Sequence, residues 1–301
     1  MLANTRGENS LYKYYSASTA LSVLRAGKFR WGSPASFNDP FDHSFAMHMT
    51  GDKDRAMHRL VEGAADIIFS SQPPVIKQPN DFTALLMLVR SGPSGKLTRE
   101  TWTRDVWPAL QAGQANALSY LAEQNEMWKR QSETARIFCL SEVQDSMPMW
   151  AHYGANHGGV VMEIRGLATL DSSFLVARPV EYSQTMPALG DYDEMIEGYL
   201  GNRSWMESEN LFHKLAFVKA EQWRYEQEWR VVTYAAQAEA YNDYKFSPLE
   251  LPCLYMGVKC TKSDQNGLIA QVKAAYPFTK IFQMEVHPTQ FSLVPKLVYE
   301  P

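Results

Sequence analysis

The sequence lacks the features of a membrane or secreted protein. It has no uninterrupted apolar run of about 18 residues, the length that a membrane-spanning helix requires. Its first ten residues, Met1–Ser10, contain no apolar segment, so we expect no secretory signal. Cysteine is scarce as well: Cys139, Cys253 and Cys260 are too few to pair completely, and none lie at zinc-ligand spacing. We therefore expect a soluble cytoplasmic protein with no membrane partner.

Three common catalytic or nucleotide-binding motifs are also missing. Gly154, Gly158 and Gly159 do not form the Gly-x-Gly-x-x-Gly pattern that follows a strand in dinucleotide-binding folds. Neither Gly-x-Ser-x-Gly nor the phosphate-binding Gly-x-x-x-x-Gly-Lys-Ser/Thr occurs. The formal net charge of -4 gives no indication of a general polyanion-binding surface. Function therefore has to be inferred from less regular patterns.

The composition predicts a folded protein of mixed secondary structure. Hydrophobic residues make up 45% of the chain and charged residues 21%, which favours a packed core over disorder. β-prone segments occur near both ends, whereas residues 52–133 contain mainly helical patterns interrupted by breaks such as Pro108–Gly113. We predict an α+β fold with a mixed, largely antiparallel sheet and packed helices. We expect one domain over residues 1–301, with a helical insertion at residues 52–133.

A charged segment at residues 219–234 is the most informative part of the chain. Its sequence, Lys-Ala-Glu-Gln-Trp-Arg-Tyr-Glu-Gln-Glu-Trp-Arg-Val-Val-Thr-Tyr, predicts a single strand. Side chains alternate across a strand, so one face would be apolar and the other charged. The apolar face would carry Trp223, Tyr225, Trp229 and Val231, and the charged face Arg224, Glu226, Glu228 and Arg230.

Two interpretations of this charged face remain open from the sequence. The row forms cross-strand ion pairs on a solvated sheet, or it forms the polar wall of a cleft. In a helix, Glu226 and Arg230 would instead make an i,i+4 pair.

A second region, residues 136–159, has the pattern of a pocket rim. An apolar strand ends at Ser141–Glu142 and is followed by a segment rich in aromatic and polar residues. That segment contains Trp150 and His152, which we take as candidate binding residues. The alternative is that Trp150 is a core residue and that His152 is hydrogen-bonded between elements.

Five sequence blocks in order resemble the bacterial "domain of unknown function 2971" family. The blocks are Leu11–Tyr14, Ser33–Asp42, Cys139–Glu142, Met149–Gly159 and Trp223–Arg230. The helical stretch at residues 52–133 carries no matching motif. The resemblance implies a relationship but no reaction, although its members look like phage-defence or toxin components.

A weaker resemblance, to ADP-ribosyltransferases, implies a reaction and an ADP-ribosyltransferase-like sheet. Those enzymes bind NAD with an aromatic or basic residue on an early strand, a serine-bearing strand and a Glu-x-Glu strand. Here the corresponding residues are Tyr14 with Lys13, then Ser141, then Glu226 and Glu228. The resemblance implies NAD as a substrate, a cleft between the charged strand and the Ser141 strand, and a protein or nucleic-acid acceptor.

The resemblance also implies roles for individual residues. Glu228 would stabilise positive charge on the ribose, and Glu226 would orient or deprotonate the acceptor. Arg230, with Arg224, would keep the pair ionised or bind pyrophosphate. Tyr14 would stack on nicotinamide, and Ser141 would bond the neighbouring ribose.

Two further functions are compatible with the sequence. The same cleft would serve a non-catalytic nucleotide-sensing module. A metal-dependent nuclease would use Asp39, Asp42 and His43 with a glutamate of the charged strand. We favour turn-forming roles for Asp39 and Asp42, since Asn-Asp-Pro is a good turn sequence.

Overall fold

The computed structural model describes residues 10–42, 48–92, 97–204, 213–214 and 216–301, without the side chains of residues 109–121 and 124. The described strands are β1 Ser10–Tyr15, β2 Lys28–Gly32, β3 Met49–Thr50, β4 Ala135–Ser141, β5 Val160–Arg165, β6 Arg178–Pro179, β7 Glu181–Ser183, β8 Gly190–Asp191, β9 Val218–Ala220, β10 Glu228–Tyr234, β11 Tyr241–Lys245, β12 Cys253–Met256, β13 Lys280–Val286 and β14 Leu293–Tyr299. The described helices are α1 Ala17–Ala26, α2 Lys53–Phe69, α3 Asp81–Ser91, α4 Arg99–Thr134, α5 Met147–His152, α6 Tyr192–Tyr199 and α7 Lys262–Ala275.

The chain forms two compact units. The first comprises residues 1–44, 130–185 and 216–301, and the second comprises residues 45–129 and 186–215. The second contains α2, α3, α6 and α4 up to residue 129, together with the parallel pair β3–β8. The prediction of one domain with an insertion at residues 52–133 stays a prediction.

Helix α4 differs from the sequence prediction. A break at Pro108–Gly113 was expected to separate two helices, but one helix runs from Arg99 to Thr134 with Pro108 inside it. Proline removes a single backbone hydrogen bond, and the helical residues on both sides continue the ladder. The predicted break is therefore wrong.

A ten-stranded sheet organises the first unit. Its main path is β11-β2-β4-β1-β5-β12-β13-β14; off this path, β10 pairs with β4, and β6 pairs with β10. Every pair in it is antiparallel except β12–β13. The predicted α+β class with a mixed, largely antiparallel sheet is confirmed.

Strand β5 is buried on both of its faces. In β5, Val160, Met162 and Ile164 belong to one hydrophobic cluster, while Val161 between them belongs to another. The first cluster includes Leu24 of α1 and Leu268 of α7. The second includes Met149 and Trp150 of α5. Since successive strand residues point to opposite faces, consecutive apolar residues such as those at 160–162 fit a strand that is covered on both sides.

No helix among the described residues is both long and apolar enough to cross a membrane.

Candidate functional site

The sheet forks at β4. One edge of β4 pairs with β10 over seven residues, from Glu228 opposite Ser141 to Tyr234 opposite Ala135. On the other edge, β1 pairs only at Tyr12 with Ser141, and β2 only at Gly32 with Ile137. Strand β1 then continues into the full ladder with β5. The diverging backbones of β1 and β4 therefore leave space beside the carboxyl end of β4.

A pocket with a volume of about 370 Å³ occupies this position. It is lined by residues of β1, β4, the loop after β2, α5 and its C-cap, and the segment from β9 to β10. These residues are Tyr12, Lys13, Tyr14, Ser36, Phe37, Asn38, Asp42, Cys139, Leu140, Ser141, Met149, Tyr153, Lys219, Glu226 and Glu228. All of them belong to the first unit.

Two carboxylates in the pocket share one ammonium group. Lys219 Nζ donates to Glu226 Oε2 at 2.5 Å and to Glu228 Oε2 at 2.9 Å. Both glutamates are only 4% exposed. The interpretation of these two residues as a solvated ion-pair row is therefore wrong, and they form part of a pocket wall.

A buried arginine binds the carboxylate of Glu228. Arg230, which is 0% exposed, donates from Nε to Glu228 Oε1 at 2.7 Å. Its two terminal nitrogens donate to the carboxylate of Asp42 at 2.9 and 2.5 Å. Asp42 thus contributes a bidentate ion pair to the site, while its backbone N–H donates to Asp39 O at 3.2 Å within the predicted turn. Asp39 also follows the turn prediction, because its Oδ1 accepts from the Phe41 amide at 2.9 Å.

The second oxygen of Glu226 is held from the opposite side. Tyr153 donates its hydroxyl to Glu226 Oε1 at 2.7 Å, and Asn38 Nδ2 donates to that hydroxyl at 3.2 Å. Each oxygen of Glu226 therefore has one donor, Tyr153 or Lys219, and its position in the pocket is fixed.

The two glutamates have opposite pKa shifts. Burial raises the pKa of Glu226 above its ordinary value, an effect that Lys219 opposes and Glu228 reinforces. Burial acts in the same direction on Glu228, but Arg230 and then Lys219 outweigh it and hold its pKa well below the ordinary value. Glu228 therefore stays ionised to lower pH than an ordinary carboxyl group, whereas Glu226 binds a proton more readily than one.

The backbone of the charged segment differs from the predicted single strand. Residues Val218–Ala220 form β9, Glu221–Glu226 form a 3₁₀ helix, and β10 begins only at Glu228. Between them Gln227 has φ of 43°, in the left-handed region. The first half of the strand prediction is therefore wrong. Glu226 and Glu228 still converge because both bind Lys219 across the turn, whereas Arg224 points away and pairs with Glu221 on the surface.

The predicted cleft between the charged strand and the Ser141 strand is also wrong in position. Those strands, β10 and β4, are hydrogen-bonded neighbours. The pocket lies at the end of this pair, where β1 diverges. Ser141 serves the local backbone there, because its Oγ donates to Glu226 O at 2.7 Å and accepts from the Val143 amide at 3.2 Å.

The remaining predicted binding residues have distinct environments. Tyr14 is buried, donates its hydroxyl to Val143 O at 2.8 Å and packs edge-on against Trp150. Trp150 is fully buried and donates from Nε1 to Gln144 O at 2.8 Å, as expected of a core residue. Lys13 lines the pocket and donates to Cys139 O at 2.6 Å. His152 is exposed and does not line the pocket. The roles predicted for these residues stay predictions.

Sequence reasoning missed Lys219, Tyr153 and Asn38 as members of the site. Lys219 was read as the first residue of a strand, yet a lysine near two closely spaced glutamates is the one signal that was available. Tyr153 and Asn38 lie 115 residues apart in the chain, and nothing local indicates their contact.

Among the described residues, no group of three or more His, Cys, Asp or Glu side chains is arranged to hold a metal ion. His43, which the nuclease alternative requires, lies outside the described residues.

The comparisons with known proteins give one match. No curated protein and no solved structure matches the chain. A family model described as Protein of unknown function (DUF2971) matches residues 149–231, from α5 into β10. This range includes five of the pocket residues, Met149, Tyr153, Lys219, Glu226 and Glu228. The family resemblance inferred from the sequence is therefore confirmed over residues 149–231.

Proposed function

We propose that the pocket binds NAD and cleaves the bond between nicotinamide and ribose, either transferring ADP-ribose to an acceptor or hydrolysing NAD. One observation carries the proposal. Two buried glutamates with opposite pKa shifts line the same pocket and share one lysine.

Glu228, whose pKa is held well below the ordinary value by Arg230 and Lys219, suits the electronic demand of this reaction. When the C1′–N bond breaks, its electron pair leaves with nicotinamide and positive charge develops on the ribose, as in glycoside hydrolysis. A fixed carboxylate in a site with little water stabilises that charge and needs little reorganisation. Arg230 and Lys219 each hold Glu228 by a hydrogen bond, which fixes its direction.

The raised pKa of Glu226 suits a general base. The oxygen of water, or of an acceptor hydroxyl, forms the new bond to C1′ and loses a proton, which Glu226 takes up. The balance for water is NAD⁺ plus H₂O giving ADP-ribose, nicotinamide and one H⁺. Tyr153 and Lys219 each bond a different oxygen of Glu226, so a lone pair on either oxygen is left for this proton.

The weaker resemblance to ADP-ribosyltransferases supports the same assignment. Tyr14, Ser141 and the glutamate pair occur in the order that those enzymes use. Tyr14 and Lys13 would contact the ligand from β1. His152 does not line the pocket, so it would contact only a part of the ligand that extends beyond the pocket. Ser141, Trp150 and Arg230 would hold the walls in place, because their polar groups are bonded to the protein.

The cellular setting belongs to the same proposal. A cytoplasmic enzyme that consumes NAD, or that modifies a protein or nucleic acid, fits the phage-defence or toxin context that the family resemblance implies. This would be a bacterial defence function.

The test is release of nicotinamide from NAD by the whole chain. We expect Glu228→Gln to reduce turnover roughly 10²- to 10³-fold, the loss typical of removing one preorganised electrostatic group. Arg224→Gln is the matched control, since Arg224 is exposed, does not line the pocket, and contacts Glu221 and Tyr182 instead of the two pocket glutamates. Equal turnover by both variants, or no turnover by the wild type, would refute the assignment.

A nucleotide-sensing module is the second candidate. Both oxygens of Glu228 are already in ion pairs, an arrangement that also suits a rigid binding site. Calorimetry with NAD would identify it through saturable binding without nicotinamide release. Cleavage of nucleic acid that requires Mg²⁺ and stops with EDTA would instead favour a nuclease.

A further inference from the structure

We propose that the pocket takes only one base and one ribose of its substrate, so that nucleoside-sized N-ribosides are substrates alongside NAD; this inference rests on the proposed function. The volume of about 370 Å³ is near the lower limit for ligand pockets, which range over roughly 300–1,000 Å³. A base with its ribose suits such a volume, and a second nucleotide would lie outside.

The residues at the inner end of the pocket would recognise the ribose of the substrate. Glu226, Glu228 and Ser141 are nearly inaccessible to solvent, whereas Ser36 and Asn38 are exposed and mark the opening. The charged groups that would act on the glycosidic bond therefore lie at the inner end. Any part of the substrate beyond the ribose extends past the rim.

The sheet prevents the pocket from extending in the other direction. Tyr12 pairs with Ser141 at the point where β1 and β4 meet. Beside this pair, the Lys13 ammonium bridges the two strands by its bond to Cys139 O. A second nucleotide cannot pass between the strands without breaking these contacts.

The wall of the pocket that is formed by the loop after β2, residues 36–42, is also held by hydrogen bonds. Asn38 is bonded to Tyr153, and Asp42 at the end of the loop is bound to Arg230 by two hydrogen bonds. Phe37, between the two exposed loop residues that line the rim, adds an aromatic ring to the wall. Aromatic rings on one wall and acids on the floor match an aromatic base attached to a sugar.

The experiment compares NAD, nicotinamide mononucleotide and nicotinamide riboside by nicotinamide release and by calorimetry. We expect kcat/KM for the riboside to lie within about tenfold of that for NAD, because binding energy from remote parts of a substrate appears in kcat/KM only where the protein contacts them. Phe37→Ala should weaken binding of NAD and of the riboside by the same factor. Arg224→Gln should change neither.

The outcomes separate this inference from the proposed function. Turnover of NAD with riboside turnover lower by more than about 1,000-fold would overturn the size inference and leave the function standing. Equal binding of NAD and riboside without turnover would support the size inference and refute the function. Failure to bind either ligand would refute both.

Discussion

Residues 221–225 and 226–230 have related sequences and opposite environments. The first reads Glu-Gln-Trp-Arg-Tyr and the second Glu-Gln-Glu-Trp-Arg. In the first, Arg224 and Glu221 pair on the surface. In the second, Arg230 and Glu228 pair in the interior, with a second carboxylate on the same guanidinium. Residue type alone therefore does not determine the role of an ion pair, and burial does.

The energetic contrast follows from solvation. An exposed ion pair exchanges water for a partner with little net gain. Removing one member of a buried pair leaves an uncompensated charge in a medium that solvates it poorly. The buried ion pairs of residues 226–230 should accordingly control both the stability of the fold and the reaction. The surface ion pair of residues 221–225 should affect neither.

The largest expected effect concerns the two arginines. Arg230→Met should lower the free energy of unfolding by about 3–5 kcal/mol, because Asp42 and Glu228 lose a shared buried partner. Arg224→Met should leave it unchanged within error. Urea unfolding followed by circular dichroism measures both, and similar losses for the two variants would contradict the comparison.

The next effect concerns Lys219 and the pH dependence of turnover. Glu226 acts as a base only when ionised, and burial raises its pKa, so kcat/KM should fall on the acid side at a pH above the ordinary carboxyl range. Lys219 opposes that shift, so Lys219→Met should move the acid limb to higher pH. At a pH below the limb, the ionised fraction of Glu226, and with it kcat/KM, should then be lower than in the wild type.

Lys219→Arg is the control for this prediction. It keeps a positive charge between the glutamates, so its acid limb should stay near that of the wild type. A uniform loss of rate across the pH range in Lys219→Met, without movement of the limb, would indicate a purely structural lysine.

A third effect concerns stability in acid. The pKa of Glu228 is lowered in the folded protein, so its ion pairs stabilise the fold above the unfolded carboxyl pKa of about 4.5 and cease to do so as the pH falls through the folded value. The wild type should lose stability on acidification, and Glu228→Gln should lose less over the same range. Glu221→Gln, on the surface, should follow the wild type in thermal melts at pH 7 and pH 3.

The smallest expected effect is the difference in the free energy of unfolding between glycine substitutions at Gln227 and at Gln222. Gln227 has a positive φ, which disfavours residues with a Cβ, so Gln227→Gly should raise the free energy of unfolding by about 0.5 kcal/mol. Gln222 occupies the matching position in the 3₁₀ helix, where Gly should instead be destabilising. Chemical denaturation of both variants checks this, and a change of the same sign in both would count against it.

The sequence was a good guide to elements with a local cause. Strand β5 contains the apolar residues Val160, Val161, Met162 and Ile164, three of them β-branched, and these residues are buried on both of its faces. The limits of α1 likewise have a local cause, because Ser16 caps its start and Gly27, with φ of 62°, ends it. Both depend on neighbouring residues alone, so the pattern was sufficient.

The site depends on contacts that no local pattern contains. The ion pair of Asp42 with Arg230 joins residues 188 positions apart. The alternation of residues 219–230 favoured one strand, but tertiary packing imposed a 3₁₀ helix and a left-handed residue before β10. The glutamates were identifiable from their spacing, whereas the contact of Lys219 with both of them depends on the 3₁₀ helix between β9 and β10.

The fork at β4 bears on how readily this site could be altered. Strand β1 is secured by six register pairs to β5, and β4 by seven to β10, while the two share a single pair. Substitutions at positions 12–14 or 139–140 could thus widen or narrow the opening without dismantling either ladder. Protein engineering or natural selection could therefore change the pocket opening while Glu226 and Glu228 stay in place.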